Sequence, residues 1–146
     1  MPLSPEKIAD LRLKQLEMLQ GVVTRMAAQC ATLKNYCVTI SVAIAGFAIT
    51  LQRPIVALLT LVPILAFAFL DARYLQVERR FRKRFEAVAA EGWDGPPTFN
   101  VGNKENPESP YWPAFFSWSV AGFYLPLVVV AVLAVVIARQ VYDKLL

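Results

Sequence analysis

The chain has 146 residues, of which 57% are hydrophobic, and a formal net charge of +4 at pH 7. The hydrophobic share exceeds the roughly 45–50% of soluble domains and is concentrated in blocks, so the composition predicts a membrane protein of one domain, residues 1–146. The sequence contains no histidine, which excludes imidazole metal sites, histidine-dependent catalytic triads and the usual pH switch.

The first helix is predicted to begin at Ser4, Pro5 and Glu6, which supply a capping hydroxyl, a proline and an acid for its first turn. It then carries an apolar seam with alternating three- and four-residue steps, the pattern that a helix shows to a partner helix. The seam begins among charged residues and ends in a segment that has none. It therefore predicts a homo-oligomer whose axis crosses the membrane, with packing on the chain's own second helix as the alternative. The seam consists of Leu16, Leu19, Val23, Met26, Cys30, Leu33, Cys37, Ile40, Ile44, Phe47 and Leu51.

The seam is assigned two roles along its length. The part nearer the N-terminus is predicted to form the contact between copies, through Leu19, Val23, Met26, Cys30, Leu33 and Cys37. The later part is predicted to form an apolar constriction that gates by dewetting, through Ile40, Ile44, Phe47 and Leu51. The two cysteines are seven residues apart on one helix, roughly 10 Å, which is too far for a disulfide within the chain.

Three apolar blocks predict transmembrane segments at residues 36–52, 54–70 and 115–138. Pro54 separates the first two blocks, which therefore predict a helical hairpin, with a re-entrant pair as the alternative. Pro63 predicts a bend in the second block. Tryptophan and tyrosine residues flank the third block, as they do in the interfacial belts of membrane proteins.

Beyond the second block the helical pattern continues to Ala90 as an amphipathic extension, and a loop rich in glycine and proline follows from Gly92 to Pro113. Twelve of the fifteen lysine and arginine residues lie in residues 1–35 and 71–113. The positive-inside rule places these two segments in the cytoplasm, with the C-terminus on the opposite side of the membrane.

No pattern in the sequence predicts catalysis, so we expect no catalytic residue, no metal site and no cofactor. Asp71, at the end of the second block, predicts either a charge at a channel mouth or an ion pair with Arg73 or a neighbouring helix. The concentrated polar signal is basic, and its members are Arg73, Arg80, Lys83 and Arg84. On a helix Arg73, Arg80 and Arg84 lie within about 40° of one another, with Lys83 further round, so the cluster predicts binding of an anion. Two ligands are open: a specific phosphate-bearing signal, or the phosphate of an anionic lipid.

Two segments carry a resemblance to a known family: residues 67–88, FAFLDARYLQVERRFRKRFEAV, and residues 111–126, YWPAFFSWSVAGFYLP. Both resemble the membrane effectors of the Hailong anti-phage defence system, which are found beside nucleotidyltransferases. More distantly, two short spans followed by a cytoplasmic helix are similar to the two-span effector domains of nucleotide-signalling conflict systems. The resemblance implies a homo-oligomeric, tetrameric, ion-channel-like effector. It also implies control by a single-stranded oligodeoxyadenylate, made by the partner enzyme, that holds the effector closed until phage infection removes it.

The sequence thus predicts an all-α membrane protein in which a long N-terminal helix and a second helix form a hairpin with a cytoplasmic extension, followed by a C-terminal transmembrane helix. The predicted function is that of a channel-like membrane effector of antiviral defence, gated by an anionic oligonucleotide signal, and not an enzyme. Two alternatives are open. One is a non-channel structural or assembly subunit whose basic cluster binds only lipid, and the other is a holin-like permeabiliser.

Overall fold

The computed structural model describes residues 4–51, 53–99 and 107–145. Within these residues the protein is helical and has no strand, which confirms the all-α prediction. In the described part of the chain, three helical segments are long and apolar enough to cross a membrane: Pro5–Leu51, Ile55–Ala90 and Trp118–Ile137. The helices are α1 (Pro5–Leu51), α2 (Pro54–Leu58), α3 (Leu61–Ala90), α4 (Tyr111–Phe115) and α5 (Trp118–Leu145).

Helix α1 begins where its capping residues predict. The hydroxyl of Ser4 accepts a hydrogen bond from the backbone N–H of Lys7 at 3.3 Å, which satisfies one of the unpaired donors of the first turn. Pro5 is the first helical residue, and Glu6 lies in the first turn, near the positive end of the helix dipole. The helix then runs for 47 residues, which is about 70 Å at the usual helical rise.

The bend predicted at Pro63 occurs one turn earlier, where Leu59 and Thr60 separate α2 from α3. Pro63 has no N–H to donate to the carbonyl of Leu59, and its ring crowds that carbonyl. The carbonyl of Leu59 accepts instead the N–H of Val62, at 3.1 Å. The second apolar segment therefore contains a tight turn within its first ten residues.

The chain divides into two compact units, each made of two separate segments. The first unit consists of Met1–Gln29 and Tyr74–Pro110, and the second of Cys30–Arg73 and Tyr111–Leu146. Most residues that the sequence predicts to be cytoplasmic belong to the first unit, and most residues of the three predicted spans belong to the second. The prediction of a single domain stays a prediction.

The apolar core of the first unit joins the beginning of α1 to the end of α3. Four buried residues form one cluster: Leu19 and Val23 from α1, and Phe81 and Val88 from α3. Full burial of an aliphatic side chain of this size contributes about 1.5–3 kcal/mol. The partly buried residues that pack against the cluster are Leu16, Val22, Val77 and Phe85.

Polar contacts attach the segment after α3 to the helices of the first unit. The guanidinium of Arg12 forms an ion pair with Glu91 at 2.8 Å and donates to the carbonyl of Gly95 at 3.2 Å. The side-chain amide of Gln76 donates to the carbonyl of Ser109 at 2.6 Å, and both residues are buried. These bonds fix both ends of the predicted loop, whose residues 100–106 lie outside the described part of the chain.

The third apolar segment begins differently from its predicted bounds of 115–138. A short helix starts earlier, at Tyr111, and a turn at Ser117 separates it from α5. The carbonyl of Ser117 accepts the N–H groups of Val120 at 3.1 Å and Ala121 at 2.8 Å, so this turn opens the long helix. Helix α2 packs against α5 within the second unit.

Candidate functional site

Arg80 and Arg84 are two partly buried cations of the basic run that form no ion pair among the described residues. They lie one helical turn apart on α3, so their side chains are neighbours on one face of the helix. Both residues are partly buried, and the Nε atom of each is shielded from solvent without a hydrogen-bond partner among the described residues. Neither guanidinium forms an ion pair with a carboxylate in the described part of the chain. Because unpaired buried donors are costly and like charges repel, this arrangement favours an anion.

Arg82 and Lys83, which lie between Arg80 and Arg84 in the sequence, both have partners within the first unit. Arg82 forms an ion pair with Glu78, one turn earlier, at 2.6 Å. The ammonium of Lys83 donates to the backbone carbonyl of Glu108 at 3.1 Å. A carboxylate compensates the charge of Arg82, whereas a carbonyl orients the ammonium of Lys83 without neutralising it. Lys83 therefore keeps a positive charge that an anion beside the two arginines can use.

Arg73, the fourth residue of the predicted site, belongs to the second unit and is exposed. Its charge interacts with the phenol of Tyr111. The Tyr111 hydroxyl donates to the carbonyl of Phe69 at 3.1 Å. Burial raises the pKa of the Tyr111 phenol above its ordinary value, and the charge of Arg73 partly opposes that rise. The candidate anion site is therefore limited to three cations of the first unit: Arg80, Lys83 and Arg84.

The part of the seam that was predicted to join copies is largely buried inside the chain. A side chain that its own chain already covers has no surface to offer a second copy, so for these residues the structure supports the alternative of packing within the chain. Met26 is only partly buried. The buried members are Leu19 and Val23 in the first unit and Cys30, Leu33 and Cys37 in the second.

The predicted constriction lies on a different side of α1 from this buried face. Past Cys37 the buried residues are Ser41 and Ala48, each one position later than a seam residue. An α-helix with 3.6 residues per turn drifts by about 20° per heptad from a seam of period 3.5, so the seam leaves the buried face. The predicted constriction residues are therefore open to lipid or to a second copy, and the constriction stays a prediction. Ile44 is partly buried, whereas Ile40, Phe47 and Leu51 are exposed.

Asp71 forms a buried ion pair with a neighbouring helix, one of the alternatives that the sequence left open. Its Oδ2 atom lies 2.6 Å from the Nζ atom of Lys34 on α1. The Asp71 side chain is 0% exposed and the Lys34 side chain is 19% exposed. The Lys34 ammonium also lies 5.7 Å from the ring centroid of Phe123 on α5. Segments of three helices therefore meet around one carboxylate.

Two buried oxygen atoms lie beside this ion pair: Oδ1 of Asp71 and the hydroxyl of Tyr124 on α5, a residue that is 3% exposed. Neither forms a hydrogen bond of good geometry with the described residues, but the Tyr124 and Asp71 side chains are near enough to interact with each other. Sequence reasoning missed the roles of Lys34 and Tyr124, because neither stands at a distinctive spacing from Asp71 along the chain.

No family model, curated protein or solved structure matches this chain. The described residues also contain no group of three or more cysteine, aspartate or glutamate side chains that could hold a metal ion. The Hailong resemblance therefore stays a prediction.

Proposed function

We propose that this protein is a channel-like membrane effector of bacterial anti-phage defence, which acts as a homo-oligomer and is gated by a phosphate-bearing ligand. The observation that carries the proposal is the pair of partly buried guanidinium groups of Arg80 and Arg84, which have no carboxylate partner among the described residues. By the Hailong resemblance the ligand is a single-stranded oligodeoxyadenylate, and the oligomer is a tetramer.

The chemistry of the site favours phosphate over a single carboxylate. Each arginine offers a planar fork of donors that matches two oxygens of one phosphate, and Lys83 adds a point charge. Arg80 and Arg84 are roughly 6 Å apart along the helix, so a ligand with two linked phosphates engages both at once. The affinity of such a ligand falls as salt rises, because counterions compete for the phosphates.

The proposed topology follows from the distribution of charge and hydrophobicity. In it, α1 and the α2–α3 segment form a hairpin that crosses the bacterial inner membrane, with residues 36–52 and 54–70 as the spans. The rest of α1 and α3 forms a cytoplasmic extension that carries the anion site. Residues 115–138 cross the membrane a third time, so the C-terminus is periplasmic. In the first unit Arg12 contacts Glu91, just after α3, whereas Leu19, further along α1, lies in a cluster with Phe81 and Val88, which are earlier in α3. This antiparallel order supports the hairpin.

The proposed pore is formed by surfaces that a single chain leaves uncovered. Ile40, Phe47 and Leu51 are exposed apolar residues of α1, and copies of this face around an axis would form a constriction that closes by dewetting. The ligand acts by holding the cytoplasmic helices of neighbouring copies together through the guanidinium groups. Its loss allows the helices to move and the constriction to widen.

The proposal is tested first by ligand binding. The assay measures the affinity of the purified protein, in nanodiscs of zwitterionic lipid, for a short single-stranded oligodeoxyadenylate. We expect Arg80→Lys/Arg84→Lys to lower the affinity at least about tenfold, because lysine cannot form the paired hydrogen bonds of arginine. Arg82→Lys is the matched control, since Glu78 already compensates its charge, and its affinity should stay close to that of the parent. Equal affinity in the parent and in the double variant would contradict the proposal.

A second measurement separates a signal from a lipid and a channel from a structural subunit. If the parent is stabilised in nanodiscs by anionic lipid but does not bind the oligonucleotide, the non-channel alternative with a lipid-binding cluster replaces the proposal. Liposomes that contain the parent should retain a trapped fluorescent dye while the oligonucleotide is bound and release it after a nuclease removes the oligonucleotide. If the bound ligand holds the closed state, the double lysine variant should also inhibit growth without infection. Release that ignores the ligand would instead favour a holin-like permeabiliser.

A further inference from the structure

The buried Asp71 of the second unit is surrounded by groups that suit a small cation. The carboxylate is completely shielded from solvent, with Oδ2 bound to the Lys34 ammonium and Oδ1 unpaired among the described residues. The hydroxyl of Tyr124 is a second buried oxygen, and its nearest acidic neighbour is the Asp71 carboxylate, with which it interacts. The ring of Phe123 presents a π surface 5.7 Å from the ammonium. A carboxylate, a phenol oxygen and an aromatic ring together are typical of ammonium recognition.

The Lys34 ammonium is the cation that fills this position in the structure, and it is held there by a side chain that stays partly accessible. The Lys34 side chain is 19% exposed, whereas the side chain of Asp71 is 0% exposed. Solvent therefore reaches the ion pair beside Lys34, whereas the Asp71 carboxylate is enclosed by protein. The ammonium is carried by a flexible four-carbon side chain, so it can leave the carboxylate without movement of the backbone.

We propose that Asp71, Tyr124 and Phe123 form a binding site for a small primary ammonium ion, and that Lys34 occupies this site as a tethered ligand. An uncompensated buried carboxylate is strongly destabilising, so the bundle requires a cation in the site. When the lysine side chain is absent, a free ion of the same chemistry takes its place. This proposal does not depend on the anion site at Arg80 and Arg84, and either can fail without the other.

Chemical rescue of a truncated lysine tests the site. Lys34→Ala removes the tether and the ammonium and leaves space for a free ion, so the purified full chain should lose thermal stability. Methylammonium chloride at 100 mM should raise the melting temperature of Lys34→Ala by about 5 °C over the same concentration of sodium chloride, because it binds the folded state alone. The parent should not respond, since its own lysine fills the site. An equal response to sodium chloride, or an equal response of the parent, would overturn the proposal.

Two further variants locate the rescue at this site. Lys34→Ala/Asp71→Asn lacks the carboxylate and should show no rescue. Lys34→Met fills the space with an uncharged chain of similar length and should also show none. Rescue that persists in either variant would overturn the proposal. If Lys34→Ala does not fold at all without the ion, the yield of monodisperse protein purified with and without methylammonium is the readout, and no gain in yield would equally refute the site.

Discussion

Truncation of Leu19 distinguishes a seam that packs within the chain from a seam that joins copies. Leu19 is 1% exposed and lies in the cluster with Val23, Phe81 and Val88. Leu19→Ala removes three buried carbon atoms, which at about 0.8 kcal/mol per methylene amounts to about 2.4 kcal/mol. The cavity that remains brings the expected loss to about 2.5–4 kcal/mol in the free energy of unfolding.

The assay is guanidinium unfolding of the full chain in detergent, followed by far-UV circular dichroism at two protein concentrations tenfold apart. With a slope of about 3 kcal/mol per molar guanidinium, the midpoint should fall by about 1 M. The shift should be the same at both concentrations, because the contacts that are lost lie within one chain. Met18→Ala is the matched control, since Met18 is the preceding residue of α1 and is 50% exposed, and its effect should stay within about 0.5 kcal/mol.

Two results would refute this reasoning about Leu19. A midpoint shift no larger than that of Met18→Ala would show that the cluster does not stabilise the fold. A shift that shrinks as the protein concentration rises would show that Leu19 contacts a second copy, because association then offsets the loss. In that case the seam would belong to the oligomer interface, as the sequence first predicts.

Three further predictions follow from other parts of the chain. Cys30 and Cys37 are buried thiols, so a maleimide should label them only as the protein unfolds, and mild oxidant should give no covalent dimer; rapid dimer formation that Cys30→Ser/Cys37→Ser abolishes would show that the seam is intermolecular. Arg12→Ala should lower the free energy of unfolding by about 1–2 kcal/mol, because it removes the ion pair with the half-exposed Glu91 and the donor to the carbonyl of Gly95. A change below about 0.5 kcal/mol by denaturant titration would show that this contact does not stabilise the fold. A topology reporter fused after Leu146 should be active in the periplasm and one inserted at Gly102 in the cytoplasm; reporters on the same side would contradict the proposed three spans.

The start of α1 was predictable because local chemistry determines it. Ser4 and Pro5 have the residue types of a helix start, and α1 begins there. The sequence predicts that Pro63 interrupts the second apolar segment, but the interruption lies one turn before the predicted position. The reason is that the carbonyl crowded by the proline belongs to the residue four positions earlier. Long-range pairing was not predictable. Nothing in the local sequence around Lys34 or Asp71 indicates that the two side chains meet.

The face of α1 that is buried was predictable only in its more polar half. Between Leu16 and Cys37 polar residues alternate with the seam, so the pattern distinguishes one face from the other. Beyond Cys37 almost every residue is apolar, and the sequence no longer indicates which side packs. The structure selects Ser41 and Ala48 there, small residues that permit close approach of a neighbouring helix. For the anion site, the sequence indicates which residues are cationic, whereas their partners, such as Glu78 for Arg82, come from the fold.

The ion pair between Lys34 and Asp71 also constrains the order in which the chain is assembled during synthesis. Helix α1 is translated first, so its lysine is already present, in water at the end of the apolar segment, before its partner is made. The carboxylate that becomes fully shielded from solvent is made 37 residues later. Because an unpaired buried carboxylate is strongly destabilising, we expect this part of α3 to pack against α1 only as the ion pair forms.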